Sequence, residues 1–234
     1  HVRAGEEQQR AGGVLHGPLQ AQPGRSGQAL QVARRHAGHV EHDQVEEPRA
    51  EERARRREKT NMLVGLFYTE MGTSLLSICS RLDPGKEELA RLIVGEGGEV
   101  APDPARITAA LESRTYSLDC RELDLATLRD TLGGKLGLLT LLLQNPDLEE
   151  HSRFTDLLQA LLHLWQELSA REVLCDLPQA DSAHLSGDLN RVYRLLVMEW
   201  VVYLGTLKRQ YPYLYSLAVR TNPFDEKASV IIRE

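Results

Sequence analysis

From residue 62 to residue 220 the chain alternates apolar stripes with polar faces at helical steps. Leu63, Phe67, Met71, Leu75, Ile78 and Leu82 fall three or four apart, which places them on one side of a helix over residues 62–82. Asp83-Pro84 and Asp103-Pro104 each offer a capping carboxylate followed by a proline suited to a first helical turn, so helices are predicted over 84–94 and 104–114. An extended connector at 116–118 leads to Asp119 with Glu122, or to Asp124, as the start of a helix ending near residue 143. Leu125, Leu128, Leu132, Leu136, Leu139 and Leu143 form its stripe. Gly133, Gly134 and Gly137 each weaken it by about 1 kcal/mol relative to alanine and mark a kink or a close helix crossing.

Asn145-Pro146 breaks the chain, and the strongest pattern follows over 152–172. Phe154, Leu157, Leu158, Leu161, Leu162, Trp165 and Leu168 make a continuous stripe, which predicts burial of Trp165. Leu185, Leu189, Val192, Leu196, Trp200, Tyr203 and Leu207 do the same over 182–209, with Asp181 or Ser182 as its cap. A last short helix runs from Pro212 to Arg220 and stops before Asn222-Pro223. The end, ASVIIRE, offers at most a lone strand. Helix after helix with short links predicts an all-α antiparallel bundle of about six helices.

Residues 1–61 break this pattern. They contain no Phe, Tyr, Trp, Ile, Met or Cys, so folding would not repay the entropy of ordering them. The expected organisation is a disordered or non-native extension over 1–61 and a helical domain over 62–234, with Met62 placed like a natural start. Within the extension, residues 46–59 have Glu–Arg pairs at helical spacing. His36, His39 and His42 would share a face only if Gly38 tolerated a helix.

Charge narrows the partners. The chain carries a net −6, and the acidic excess lies in the helical part. That argues against nucleic acid, whose binders need a basic stripe. Cys79, Cys120 and Cys175 lie far apart with no CxxC, the usage of reduced thiols in a cytoplasmic protein. The apolar stretch 62–79 is nearly long enough to cross a membrane but holds Glu70 and several hydroxyls. It is no confident span, although the basic run at 53–59 would suit the inner face of a membrane.

Catalytic chemistry is hard to find. No Gly-x-Ser-x-Gly and no Glu-x-x-His occurs, and Gly95-Glu96-Gly97-Gly98-Glu99 lacks the Gly-Lys-Ser/Thr ending of a phosphate loop. His163 and Glu167 stand four apart, ordinary spacing for a helix surface, while His151 and His184 fall near helix starts. The expectation is therefore no catalytic residue, no cofactor and no transition metal. What does stand out is KRQYPYLYSLAVR. Tyr211, Tyr213 and Tyr215 crowd around Pro212, with Lys208, Arg209 and Arg220 as a basic rim in an acidic domain. These six residues are the candidate partner surface, for a protein partner or for self-association. The reading preferred for the tyrosines themselves is a lid on helix 182–209, with one of them facing solvent beside Arg209 or Arg220, and the partner-facing patch is its rival.

The segments LLLQNPDLEEHSRFTDLLQALLHLWQEL (141–168) and YPYLYSLAVRTNPFD (211–225) resemble an uncharacterised prokaryotic family of helical proteins. Its members end in a Tyr-Pro-Tyr-Leu-x-Ser-Leu-Ala-x-Arg-x-Asn-Pro-Phe motif, and the resemblance covers residues 115–226. It implies a helical domain that is often the cytoplasmic part of proteins with membrane segments upstream, and it carries no activity. The expected function is a non-catalytic cytoplasmic domain that senses, scaffolds or oligomerises. A small-molecule- or metal-binding bundle is the alternative, and an enzyme the third reading.

Overall fold

The computed structural model describes residues 49–94, 100, 103–148, 151–225 and 228–231. The chain divides into two units, His1–Glu51 and Glu52–Glu234, and only residues 49–51 of the first are described. The histidines at 36, 39 and 42 and the glycine loop at 95–99 lie outside the described residues. Among the described residues the protein is all-α, with eight helices: α1 Arg49–Leu82, α2 Lys86–Ile93, α3 Pro104–Ser113, α4 Leu125–Gly133, α5 Leu136–Leu143, α6 Ser152–Ser169, α7 Gln179–Gln210 and α8 Pro212–Arg220.

The start signals work as local chemistry requires. Asp103 accepts from the backbone N–H of Arg106, and Asp124 from that of Thr127. Asp119 caps a separate 3₁₀ turn, Cys120–Glu122, so the two alternative caps serve two elements. The helix expected over residues 125–143 is two helices, because the chain turns at Gly134 and Lys135. Gly133 also allows the close crossing: a side chain there would meet Trp165 Nε1 at 3.2 Å.

α1 begins earlier than expected. It is helical from Arg49, the first described residue, and its Glu52–Arg55 and Glu52–Arg56 pairs hold the exposed turns. The expected boundary at Met62 therefore falls inside this helix. Thr60 is buried, and its hydroxyl lies within hydrogen-bonding distance of the carbonyls of Arg56 and Asp147, at 3.0 and 2.9 Å. Over Tyr68–Gly72 the helix widens into a π turn. Gly72 is required there, since a Cβ would come within 2.6 Å of the Tyr68 ring. The turn places Phe67 edge-on to Phe154, and Tyr68 stacks on Tyr203 at 5.1 Å between ring centres.

α7 is the axis of the bundle. Val192, Tyr193, Leu195, Leu196, Val197, Met198, Trp200, Val201 and Leu204 are buried, which covers every side of the helix rather than one stripe. α1, α3, α6 and α8 all pack on it. α1 and α6 run antiparallel to it: Asn61 bonds Gln210 and Tyr68 bonds the Leu196 carbonyl, while Arg171 pairs with Asp181 and His163 with Asp188. Trp200 is 2 % exposed, as its stripe predicts, but Trp165 is only half-buried. Its neighbour Leu164 is buried instead. Residues 230–231 form a bend, and the described part of ASVIIRE, residues 228–231, contains no strand.

Candidate functional site

The six residues of the candidate partner surface differ in exposure. Lys208 and Arg209 are exposed at the end of α7. Tyr211 and Tyr215 are half-buried against the core, and the Tyr215 hydroxyl donates to the Val100 carbonyl at 2.8 Å. Burial pushes the Tyr215 pKa up. Arg220 is half-buried, and its guanidinium donates to the Val230 carbonyl. Tyr213 alone stands out, 88 % exposed. Sequence reasoning missed its companions. Leu214 and Leu217 are also exposed, and with Tyr213 they form an apolar face on a helix whose one buried side chain is Ala218. The signal was available: residues 213, 214 and 217 have helical spacing once Pro212 fixes the helix start.

The Asn-Pro-Phe segment after α8 is structural. Asn222 and Phe224 are buried, Asn222 Oδ1 accepts from the Phe224 N–H, and the Pro223 carbonyl accepts from Ser80 Oγ.

Two buried carboxylates stand apart from this surface. Asp83 accepts from Arg114 at 2.9 and 3.0 Å, from the Tyr193 hydroxyl at 3.1 Å and from the Gly85 N–H at 2.9 Å. Arg114 also lies over the Tyr116 ring, 4.7 Å from its centre. Burial works against the arginine charge, but the Asp83 hydrogen bond and charge outweigh it and raise its pKa. Burial, then the Asp83 charge, push the Tyr193 hydroxyl well up. Glu199 is the second. Its nearest cation is Arg153, at 3.8 Å, and burial pushes its carboxyl up to about 7 against that attraction.

A third cluster joins α6 to α7. His163 and Glu167 face His184 and Asp188, and Arg171 ties Glu167 to Asp181. The Arg171 hydrogen bond lowers the pKa of Glu167 and also that of Asp181. His151 lies at the far end of α6, about 18 Å from His163 along the helix, and takes no part.

A cleft of about 690 Å³ opens between the 3₁₀ turn with the start of α4 and the loop after α6, lined by residues such as Cys120, Leu125, Val173 and Leu177. Cys79 and Cys120 are buried and Cys175 is exposed, all as free thiols; burial pushes the Cys79 thiol up to about 12. Among the described residues one helix, Arg49–Leu82, is long and apolar enough to cross a membrane. Its Phe67, Tyr68, Met71, Leu75, Leu76 and Cys79 are buried within the fold.

Comparison with known proteins gives a match at the level of the domain. Residues 56–220 match the family described as "Uncharacterized protein MJ1433, C-terminal helical domain". The uncharacterized protein MJ1433 of Methanocaldococcus jannaschii is 41 % identical over 177 residues, which covers 76 % of this chain and 70 % of that protein. No solved structure matches the chain. The matched residues run from the exposed turns of α1 to the last residue of α8 and take in every helix of the bundle, so this chain belongs to the MJ1433 C-terminal helical domain family.

Proposed function

We propose that the protein is a non-catalytic helical interaction domain of the cytoplasm, which binds a protein partner through the outer face of α8. The observation that carries this reading is the cluster of Tyr213, Leu214 and Leu217, all exposed on one short helix whose inner side is already docked. A helix this short gains its stability from packing, so an apolar outer face adds nothing to the fold and suits a second surface. Tyrosine flanked by cations is the composition of interface anchors. Lys208 and Arg209 lie exposed at the end of α7, a few residues before this face in sequence. The partner that fits is an acidic segment with leucine-type residues at helical spacing, its carboxylates meeting the two cations. The exposed thiol of Cys175 supports a reducing compartment.

The test places a photo-crosslinking residue at Tyr213 in the full chain, with a second at exposed Ala109 of α3 as control. Crosslinks from position 213 are expected on acidic, leucine-bearing segments of another protein. Leu217→Asp should abolish them while leaving the melting temperature within a degree or so. Crosslinks to a second copy of this chain alone, or the same products from both positions, would overturn the reading.

A further inference from the structure

α6 and α7 each carry a histidine followed four residues later by a carboxylate: His163 and Glu167, then His184 and Asp188. Four residues is about one helical turn, so each pair projects from one face. The antiparallel crossing sets His163 against Asp188 and His184 against Glu167, at 3.4 Å from Nε2 to carboxylate oxygen in both cases. The other two approaches are His184 to Asp188 at 3.6 Å and His163 to Glu167 at 3.9 Å. Donors bound tetrahedrally to zinc at ordinary bond lengths stand roughly 3.3–3.5 Å from one another. Three of these separations are at or near that value; His184 approaches Glu167 through Oε2 and His163 through Oε1, while both approach Asp188 through Oδ2.

A second observation points the same way. Asp188 Oδ2 is buried and accepts no hydrogen bond, although both imidazole Nε2 atoms lie beside it. A buried carboxylate oxygen ordinarily has a partner. Both imidazole nitrogens approach this oxygen without making a hydrogen bond to it. Glu167 is prepared from outside. Arg171 donates to it at 2.9 Å and is itself held by Asp181 at 2.6 and 2.9 Å, the kind of outer hydrogen bond that orients a ligating carboxylate. Two carboxylates and two neutral imidazoles balance a divalent charge. The histidine side chains, 43 % and 52 % exposed, leave a route in from solvent.

We propose that His163, Glu167, His184 and Asp188 bind a divalent transition metal ion, zinc foremost, between α6 and α7. Imidazole donors favour zinc over magnesium or calcium. Four protein donors leave no open position, so the ion acts as a staple between two helices rather than as a catalyst. Among the described residues no group of three or more such donors is already placed to hold a metal ion, so binding requires side-chain movement. Rotation of the two partly exposed imidazoles closes the 3.9 Å edge. Spacings along the chain do not reveal this set, because it is assembled across two helices.

The experiment titrates chelator-stripped full-length protein, kept reduced, with Zn²⁺ by calorimetry and with Co²⁺ by visible absorption. One equivalent per chain is expected, with the intense bands of tetrahedral cobalt and a higher melting temperature for the loaded protein. His163→Ala and Asp188→Asn should each weaken binding at least tenfold. His184→Gln, at a half-exposed side chain where the fold tolerates change, should weaken it likewise and decides the matter if the others unfold. Cys175→Ser, and a variant with alanine at His36, His39 and His42, should bind as the parent does. Absence of saturable binding, or equal binding by a His163→Ala/His184→Gln variant, would overturn the site.

Discussion

Glu199 shows how a single residue makes stability depend on pH. Its carboxyl sits in the core of α7 with Arg153 at 3.8 Å, too far for a full hydrogen bond, and burial raises its pKa to about 7. Unfolded, the group titrates near 4.5. The folded state therefore holds its proton more tightly, and the unfolded state binds fewer protons between these two values. The Glu199 contribution to stability falls as pH rises from about 4.5 to about 7 and then levels off, with the cost reaching on the order of 3 kcal/mol. Glu199→Gln should remove this slope. Denaturant unfolding at pH 5 and pH 7.5 measures it: the variant should gain on the parent between the two, and equal pH dependence would exclude the burial account. Asp83 illustrates the opposite outcome. It is as deeply buried, yet Arg114, Tyr193 and the Gly85 N–H satisfy it. Neither environment was legible in the sequence, because Arg114 and Tyr193 are distant in the chain and only packing brings them to Asp83.

At the scale of elements, the first helix departs furthest from expectation. Residues 49–61 lack large hydrophobes, and on that ground alone a chain cut at Met62 would melt as the parent does. The structure gives this segment a role through polar contacts. Thr60 reaches the Asp147 carbonyl, Lys59 lies 3.6 Å from the Asp147 carboxylate, and Asn61 donates to Gln210. A chain beginning at residue 62 should therefore be less stable than one beginning at residue 49 by about 1–2 kcal/mol, the worth of one or two such bonds. Urea midpoints of the two chains provide the comparison, and coincident curves would restore the boundary at 62. α8 carries a related lesson. Its bounds follow from Pro212 and Asn222-Pro223, but which tyrosine faces the core depends on where the Val100 carbonyl lies. Tyr215 reaches it and Tyr213 does not.

The molecule as a whole is organised by the close approach of helices to α7. Gly205 lies under Pro104 at the start of α3, where a Cβ would come within 2.6 Å of the proline ring. Gly187, on the same helix, has open space around it. The same substitution should therefore have opposite effects. Gly205→Ala should force α3 away from the axis and cost about 1–3 kcal/mol. Gly187→Ala should stabilise by about 0.5–1 kcal/mol, because alanine loses less backbone entropy in a helix. Thermal unfolding of the two variants checks both signs, and a shared sign would place the glycines' effect in propensity rather than packing.

The sequence by itself determined most of the helices and several of their ends, though not the start of α1 or the break at Gly134 and Lys135. Capping carboxylates at Asp103 and Asp124, the prolines at 104 and 212, and leucines at steps of three and four act over at most one or two turns, so they are readable in order along the chain. It also determined that the protein is all-α. Tertiary structure decided the rest. It buried α7 on every side where a single stripe was visible, left Trp165 half-exposed, and turned Tyr213 outward. It brought His163 to Asp188 and Asp83 to Arg114 and Tyr193. These outcomes depend on which helices cross and at what distance. That is settled by the packing of the whole core, and no window of neighbouring residues contains it.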